Sequence, residues 1–188
     1  MNLGPYKEDP LANNVIPLCI LPIISILCFI FYPDSNGTAI FIGSIFIVMM
    51  VAVSVIIKIK KWQYYLGARL GGMALFLDCT ALFLALTISR MYNNATPAIM
   101  LILFLAISII LGHKYAKPIL SEVNSPQTRI GKFILFLGFF GSGIGSLVGY
   151  WSVKTIGAHI AAPVSFMLIL IGVVMVHANF HQVAFDKE

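Results

Sequence analysis

Apolar residues in this chain gather in long runs separated by short polar connectors. A helix that crosses a bilayer needs about 20 such residues, because the hydrocarbon is ~30 Å thick and each helical residue rises ~1.5 Å. Six runs stand out, over residues 15–32, 39–57, 70–89, 97–112, 133–151 and 160–176. The fourth, with its apolar core at Ala98–Leu111, is the shortest, and its length alone would also suit a re-entrant or interfacial segment.

The charged residues in the connectors decide in favour of crossing. If the fourth run spans, the loops 58–69 and 113–132 share one side with both termini. Of the 12 Lys and Arg residues, all but Arg90 and Lys154 then lie on that side. Basic residues collect on the cytoplasmic face, so this arrangement obeys the rule and its alternative breaks it. The expectation is an all-α, polytopic integral membrane protein. It has one membrane domain over 1–188, six transmembrane helices, N-in and C-in, in the cell membrane. Trp62, Tyr64 and Tyr65 at the inner boundary and Tyr32, Tyr92, Tyr150 and Trp151 at the outer one fit the interfacial preference of amphipathic rings.

Composition agrees. The chain is 60% hydrophobic and 10% charged, against about 45–50% and 25% in soluble domains. Basic residues outnumber acidic ones by 12 to 7, which on a soluble domain would suggest nucleic acid; beside apolar runs it reports orientation, and no nucleic-acid partner is expected. The opening MNLGPYKEDPLANN has one lysine followed by Glu8 and Asp9 rather than a basic leader, so the first run is expected to be kept as a span. Cys19, Cys28 and Cys79 all lie within or beside apolar runs without a CxxC, which argues against a disulfide framework or a structural zinc site. No cofactor is expected.

Asp78 stands near the middle of the third run. A carboxylate there costs about 2.5–3.5 kcal/mol on insertion scales, so it must face protein or water rather than lipid. Steps of four and three from it pick out Gly67, Gly71, Ala74, Ala81 and Ala85, a seam of small residues that lets a neighbouring helix approach. The fifth run carries Gly138 and, at spacing four, Gly141, Gly145 and Gly149, beside Ser142 and Ser146. The expectation is that the third and fifth helices meet, with Asp78 bonded to a serine of the fifth. The intramembrane polar site is then Asp78, Thr80, Ser142 and Ser146, and the packing glycines are Gly67, Gly71, Gly138, Gly141, Gly145 and Gly149. No Lys or Arg lies at comparable depth, so Asp78 has no evident ionic partner.

His113 ends the fourth run, and His177 and His181 end the sixth at an i, i+4 spacing, all at the inner boundary. Three imidazoles there are a weak candidate metal site. His159 lies at the outer end of the sixth run. A b-type haem would need histidines deep in facing helices, and intramembrane proteolysis would need paired aspartates, a Ser-His pair or HExxH.

Three function classes remain. The first expectation is a non-catalytic membrane subunit, scaffold or immunity-type protein, whose partners are the bilayer and other membrane subunits or a second copy. The second is a small solute or ion transporter, or a solute-binding component, with its site around Asp78. Its helix count is similar to that of vitamin-transporter substrate subunits and of ABC exporter permeases, a likeness of topology from which no residue carries over. The third is a membrane enzyme.

Overall fold

A computed structural model of the chain describes residues 5, 6, 8, 15–124, 128, 129, 132 and 157–185. The elements there are helical: α1 (Ile20–Phe31), α2 (Gly37–Ile59), α3 (Leu66–Met91), α4 (Ala95–Lys114), α5 (Ala116–Asn124) and α6 (Ala158–Phe185). Four of these, α2, α3, α4 and α6, are long and apolar enough to cross a membrane, and the apolar helix at Pro17–Phe31 is shorter. The fifth run, 133–151, lies outside the described residues, and with it Gly138, Gly141, Ser142, Gly145, Ser146 and Gly149.

Local chemistry sets the ends. The Asn36 side chain accepts from the Ala39 N–H at 2.7 Å and starts α2, and Asn94 accepts from the Thr96 N–H at 2.9 Å and starts α4. Lys61, with φ 56°, turns the chain out of α2 in the left-handed region, and a short 3-10 turn at Trp62–Tyr64 leads into α3. At the same turn Tyr6 pairs with Tyr65 in an isolated antiparallel bridge, and the Leu66 N–H donates to the Pro5 carbonyl.

α3 is the centre of the bundle, packing against α1, α4 and α6. Of its most apolar stretch 56% is buried, against 22% for α2, 28% for α4 and 22% for α6. Its small residues explain the difference, because Gly67, Gly72, Ala74, Ala81 and Ala85 let neighbours close on it from more than one side. One core joins Ile26, Phe29 and Ile30 of α1 and Met50 and Ile57 of α2 to Phe76 and Phe83 of α3. The Phe83 ring there meets Phe29 and Phe46 edge-on, at 5.4 and 4.9 Å between centroids. A second core joins Ala81, Ala85 and Ile88 of α3 to Leu101 and Leu105 of α4 and to Phe166, Leu170 and Val173 of α6. Elsewhere α2, α4 and α6 present large apolar side chains outward, among them Phe41, Val48, Ile99, Leu103, Ile110 and Val164, as helices bathed in lipid do.

Candidate functional site

α3 and α6 run antiparallel. The Tyr92 hydroxyl donates to the His159 carbonyl at 2.9 Å at one end. At the other, a Cβ on Gly71 would stand 3.2 Å from the Phe180 ring. α4 runs parallel to α6, since Leu101 and Leu105 pack with Phe166, Leu170 and Val173, while Gly112 and His113 meet residues 174–181. The closest approach is at Gly112. A Cβ there would lie 2.8 Å from both the His177 Cβ and the Val174 carbonyl oxygen, so only glycine lets the two backbones come this near.

That approach brings four chemical side chains together. His177 Nε2 lies 3.0 and 3.2 Å from the two Asp78 carboxylate oxygens. His177 Nδ1 lies 3.1 Å from His113 Nε2, and His113 Nδ1 lies 3.2 Å from His181 Nδ1. The rings meet nearly edge-on, at 5.0 Å for His113 and His177 and 5.3 Å for His113 and His181. His177 is the most buried member, its side chain 9% exposed against 26% for that of Asp78.

The two ends of this row open into different cavities. Asp78 and His177 line one of about 410 Å³, whose other walls are Val53, Ile57, Trp62, Ala68, Gly71, Gly72, Ala74, Leu75 and Phe180. His113 and His181 line a second of about 260 Å³, with Lys114, Ala116, Lys117 and Pro118. The first is apolar apart from the acid and its histidine; the second is basic.

The sequence-expected site divides accordingly. Asp78 faces protein and cavity. The seam residue Gly71 contacts α6, and Ala81 and Ala85 pack with α4 and α6. The expected partners Ser142 and Ser146 lie outside the described residues, and the ionisable group that meets the carboxylate is His177, where no ionic partner was anticipated. Thr80 spends its hydroxyl on the Phe76 carbonyl of its own helix, at 2.7 Å, and does not line the Asp78 cavity. His113, His177 and His181 do come together, but in file rather than around a point. Each nitrogen of His113 faces a different ring, and among the described residues no three His, Cys, Asp or Glu side chains are placed to hold one metal ion.

Sequence reasoning gave one residue, His177, a different role and passed over another, Gly112. His177 was placed at the boundary because the apolar run ends at Val176, whereas α6 continues through HANFHQVAF to Phe185 and leaves His177 two turns inside its end. Gly112 carried no repeat to mark it; its signal was its position directly before a histidine.

Comparison with known proteins finds no matching family model, no matching curated protein and no matching solved structure.

Proposed function

We propose that this chain is a six-span, N-in and C-in membrane protein that binds, and carries within the membrane, a small apolar solute bearing one positive charge, held against the Asp78 carboxylate. The observation that carries this reading is the cavity of about 410 Å³, in which Asp78 and its histidine partner are the ionisable groups on otherwise apolar and aromatic walls. That volume falls in the ordinary range for small-molecule sites, about 300–1,000 Å³.

Most of the hydroxyls near the core support an apolar cargo, and Ser108 of α4, also buried, does not line the Asp78 cavity. Ser25, Ser54, Thr80, Thr87 and Ser165 each donate to a carbonyl three or four residues back on their own helix, so they offer no spare donors to a sugar or an amino acid. Trp62 and Phe180 are among the lining residues, and aromatic rings suit a cation with an organic shell. Parallel α4 and α6 are accounted for by one further crossing between them, which supports the six-span count. The partner-subunit reading draws on the single buried acid, on the loop 113–132 and on the glycine-rich faces, of which the Gly141, Gly145, Gly149 repeat lies outside the described residues. Its described counterpart, Gly71, is covered by Phe180 of the same chain.

The test is equilibrium binding of tetraphenylphosphonium, a probe cation with an apolar shell, to the protein in lipid nanodiscs. Saturable binding is expected. Asp78→Asn, matched in size and checked for folding by gel filtration, should weaken it by about tenfold or more, the scale of one charged contact in an apolar site. Equal binding by the variant would sink the reading.

A further inference from the structure

We propose that His181, His113 and His177 form a proton path that loads and unloads Asp78 from the basic pocket at the inner end of α4, so that a proton and a cation exchange at one carboxylate. The exchange rests on the cation reading above; the path rests on the four side chains alone.

The pattern of partners fixes the direction of every bond. With Asp78 ionised, the carboxylate only accepts, so His177 must carry its proton on Nε2 and donate it there. A neutral His177 then has a bare Nδ1, which accepts from Nε2–H of His113. His113 is left with a bare Nδ1, which accepts from Nδ1–H of His181. The lone pair of His181 Nε2 remains as the acceptor at the outer end of the row. No bond conflicts with another, and all three point toward Asp78.

The opposite state is equally complete. A proton from water binds His181 Nε2. His181 passes its Nδ1 proton to His113 Nδ1, His113 passes its Nε2 proton to His177 Nδ1, and His177 passes its Nε2 proton to Asp78. One proton enters and one carboxylate is neutralised, while each imidazole ends neutral in its other tautomer with every bond reversed. Two fully satisfied states that differ by a single proton make a two-position relay, and donor–acceptor separations of 3.1–3.2 Å leave no gap for an extra carrier. A cation that settles on Asp78 displaces the proton, which leaves by the same steps in reverse.

The surroundings suit this task. The row runs from one cavity to the other, and between them His177 is packed against the α4 backbone at Gly112, so protons have a side-chain route where solvent is squeezed out. Among the described residues, Lys114 of α4 and Lys117 of α5 line the pocket at the far end. The positive charge of Lys114 opposes accumulation of protonated histidine there and favours passing the proton inward, toward the Asp78 carboxylate. On the Asp78 side, α2 contributes Val53 and Ile57, and α3 contributes apolar side chains, with Cys79 next in sequence to the acid.

Nitrogen-15 spectroscopy of histidine-labelled protein in bilayers tests the polarity directly. The chain has four histidines, and His159→Gln identifies the signals of the one outside the row. The three rings should form one of the two complete sets, with His113 and His177 as Nε2–H and His181 as Nδ1–H tautomers in alkaline buffer and all three reversed where Asp78 is protonated; a mixed set, in which two facing nitrogens both bear or both lack a proton, overturns the path. A second arm follows the infrared band of protonated Asp78 after a pH step, assigned by its loss in Asp78→Asn. Its rise should slow by at least about tenfold in His113→Gln, because an amide cannot relay a proton, and an unchanged rate overturns the path. Stoichiometric zinc retained on the three histidines would also overturn it. The stated tautomers without tetraphenylphosphonium binding would support the path and remove only the cation reading.

Discussion

At position 112 a single methyl group decides whether the row of histidines can exist. Built on the backbone, it meets both the Cβ of His177 and a main-chain oxygen of α6 at 2.8 Å, and neither can rotate away. Gly112→Ala should therefore push α4 and α6 apart, costing about 1–3 kcal/mol as overpacking does. Thermal unfolding in mild detergent measures the loss, and a midpoint equal to that of the native chain would refute the close approach. The same separation breaks the contact between His113 and His177, so the variant should also slow protonation of Asp78. Asp78 itself was legible in the sequence, because the cost of a carboxylate in lipid and the seam of small residues both required it to face protein. Its partner was not. Hydropathy marks where apolar residues stop, and His177 follows the last of them directly, although the helix continues for two more turns. Thr80 was misjudged for a related reason: two positions along a helix from Asp78 lies close to the opposite face, where the hydroxyl turns back on its own backbone.

Among the elements, α1 is the short one, and Arg90 explains how its end is held. The guanidinium, near the end of α3, donates to the carbonyls of Phe29 and Asp34 and lies over the Phe29 ring, 5.2 Å from its centroid. The Phe29 carbonyl belongs to the last turn of α1, whose oxygens have no partner within their own helix. By charge counting alone, Arg90 was a basic residue on the wrong side of the membrane; in the fold it closes a helix end and ties α1 to α3. Arg90→Gln should cost about 1.5–3 kcal/mol, the range for hydrogen bonds made by a charged donor. Arg90→Lys should recover part of this, since one ammonium reaches fewer carbonyls than a planar fork. Chemical unfolding of the three proteins gives the order, and a glutamine variant as stable as the native chain would refute the cap. Asn36 and Asn94 carry a similar lesson. Each opens an Asn-x-Thr triplet in the sequence, and in the fold both side chains are engaged as helix caps. Length and hydropathy say where apolar helices can lie; only packing says what their end residues do.

Among the described residues the arrangement is inside-out, with α3, the least apolar of the four long helices, the most buried. That follows from the solvent: in lipid an apolar side chain gains nothing by leaving the surface, so small and polar residues collect in the middle and large aliphatic ones face out. The order of connection makes the proposed sidedness testable. α2 joins the turn before Gly37 to the turn at Lys61, α3 returns to the turn before Ala95, and α4 brings the chain back to α5. If α2, α3 and α4 each cross, Ser35 and Ala95 lie on one side and Lys61 and Lys117 on the other, and the positive-inside rule puts the lysines in the cytoplasm. In a background lacking Cys19, Cys28 and Cys79, single cysteines at positions 35 and 95 should react with an impermeant maleimide added to intact cells. Cysteines at 61 and 117 should react only after the membrane is opened. Labelling of position 117 from outside would mean that α4 does not cross. The histidine row would then draw its protons from the exterior, because its basic pocket is built from the residues that follow α4.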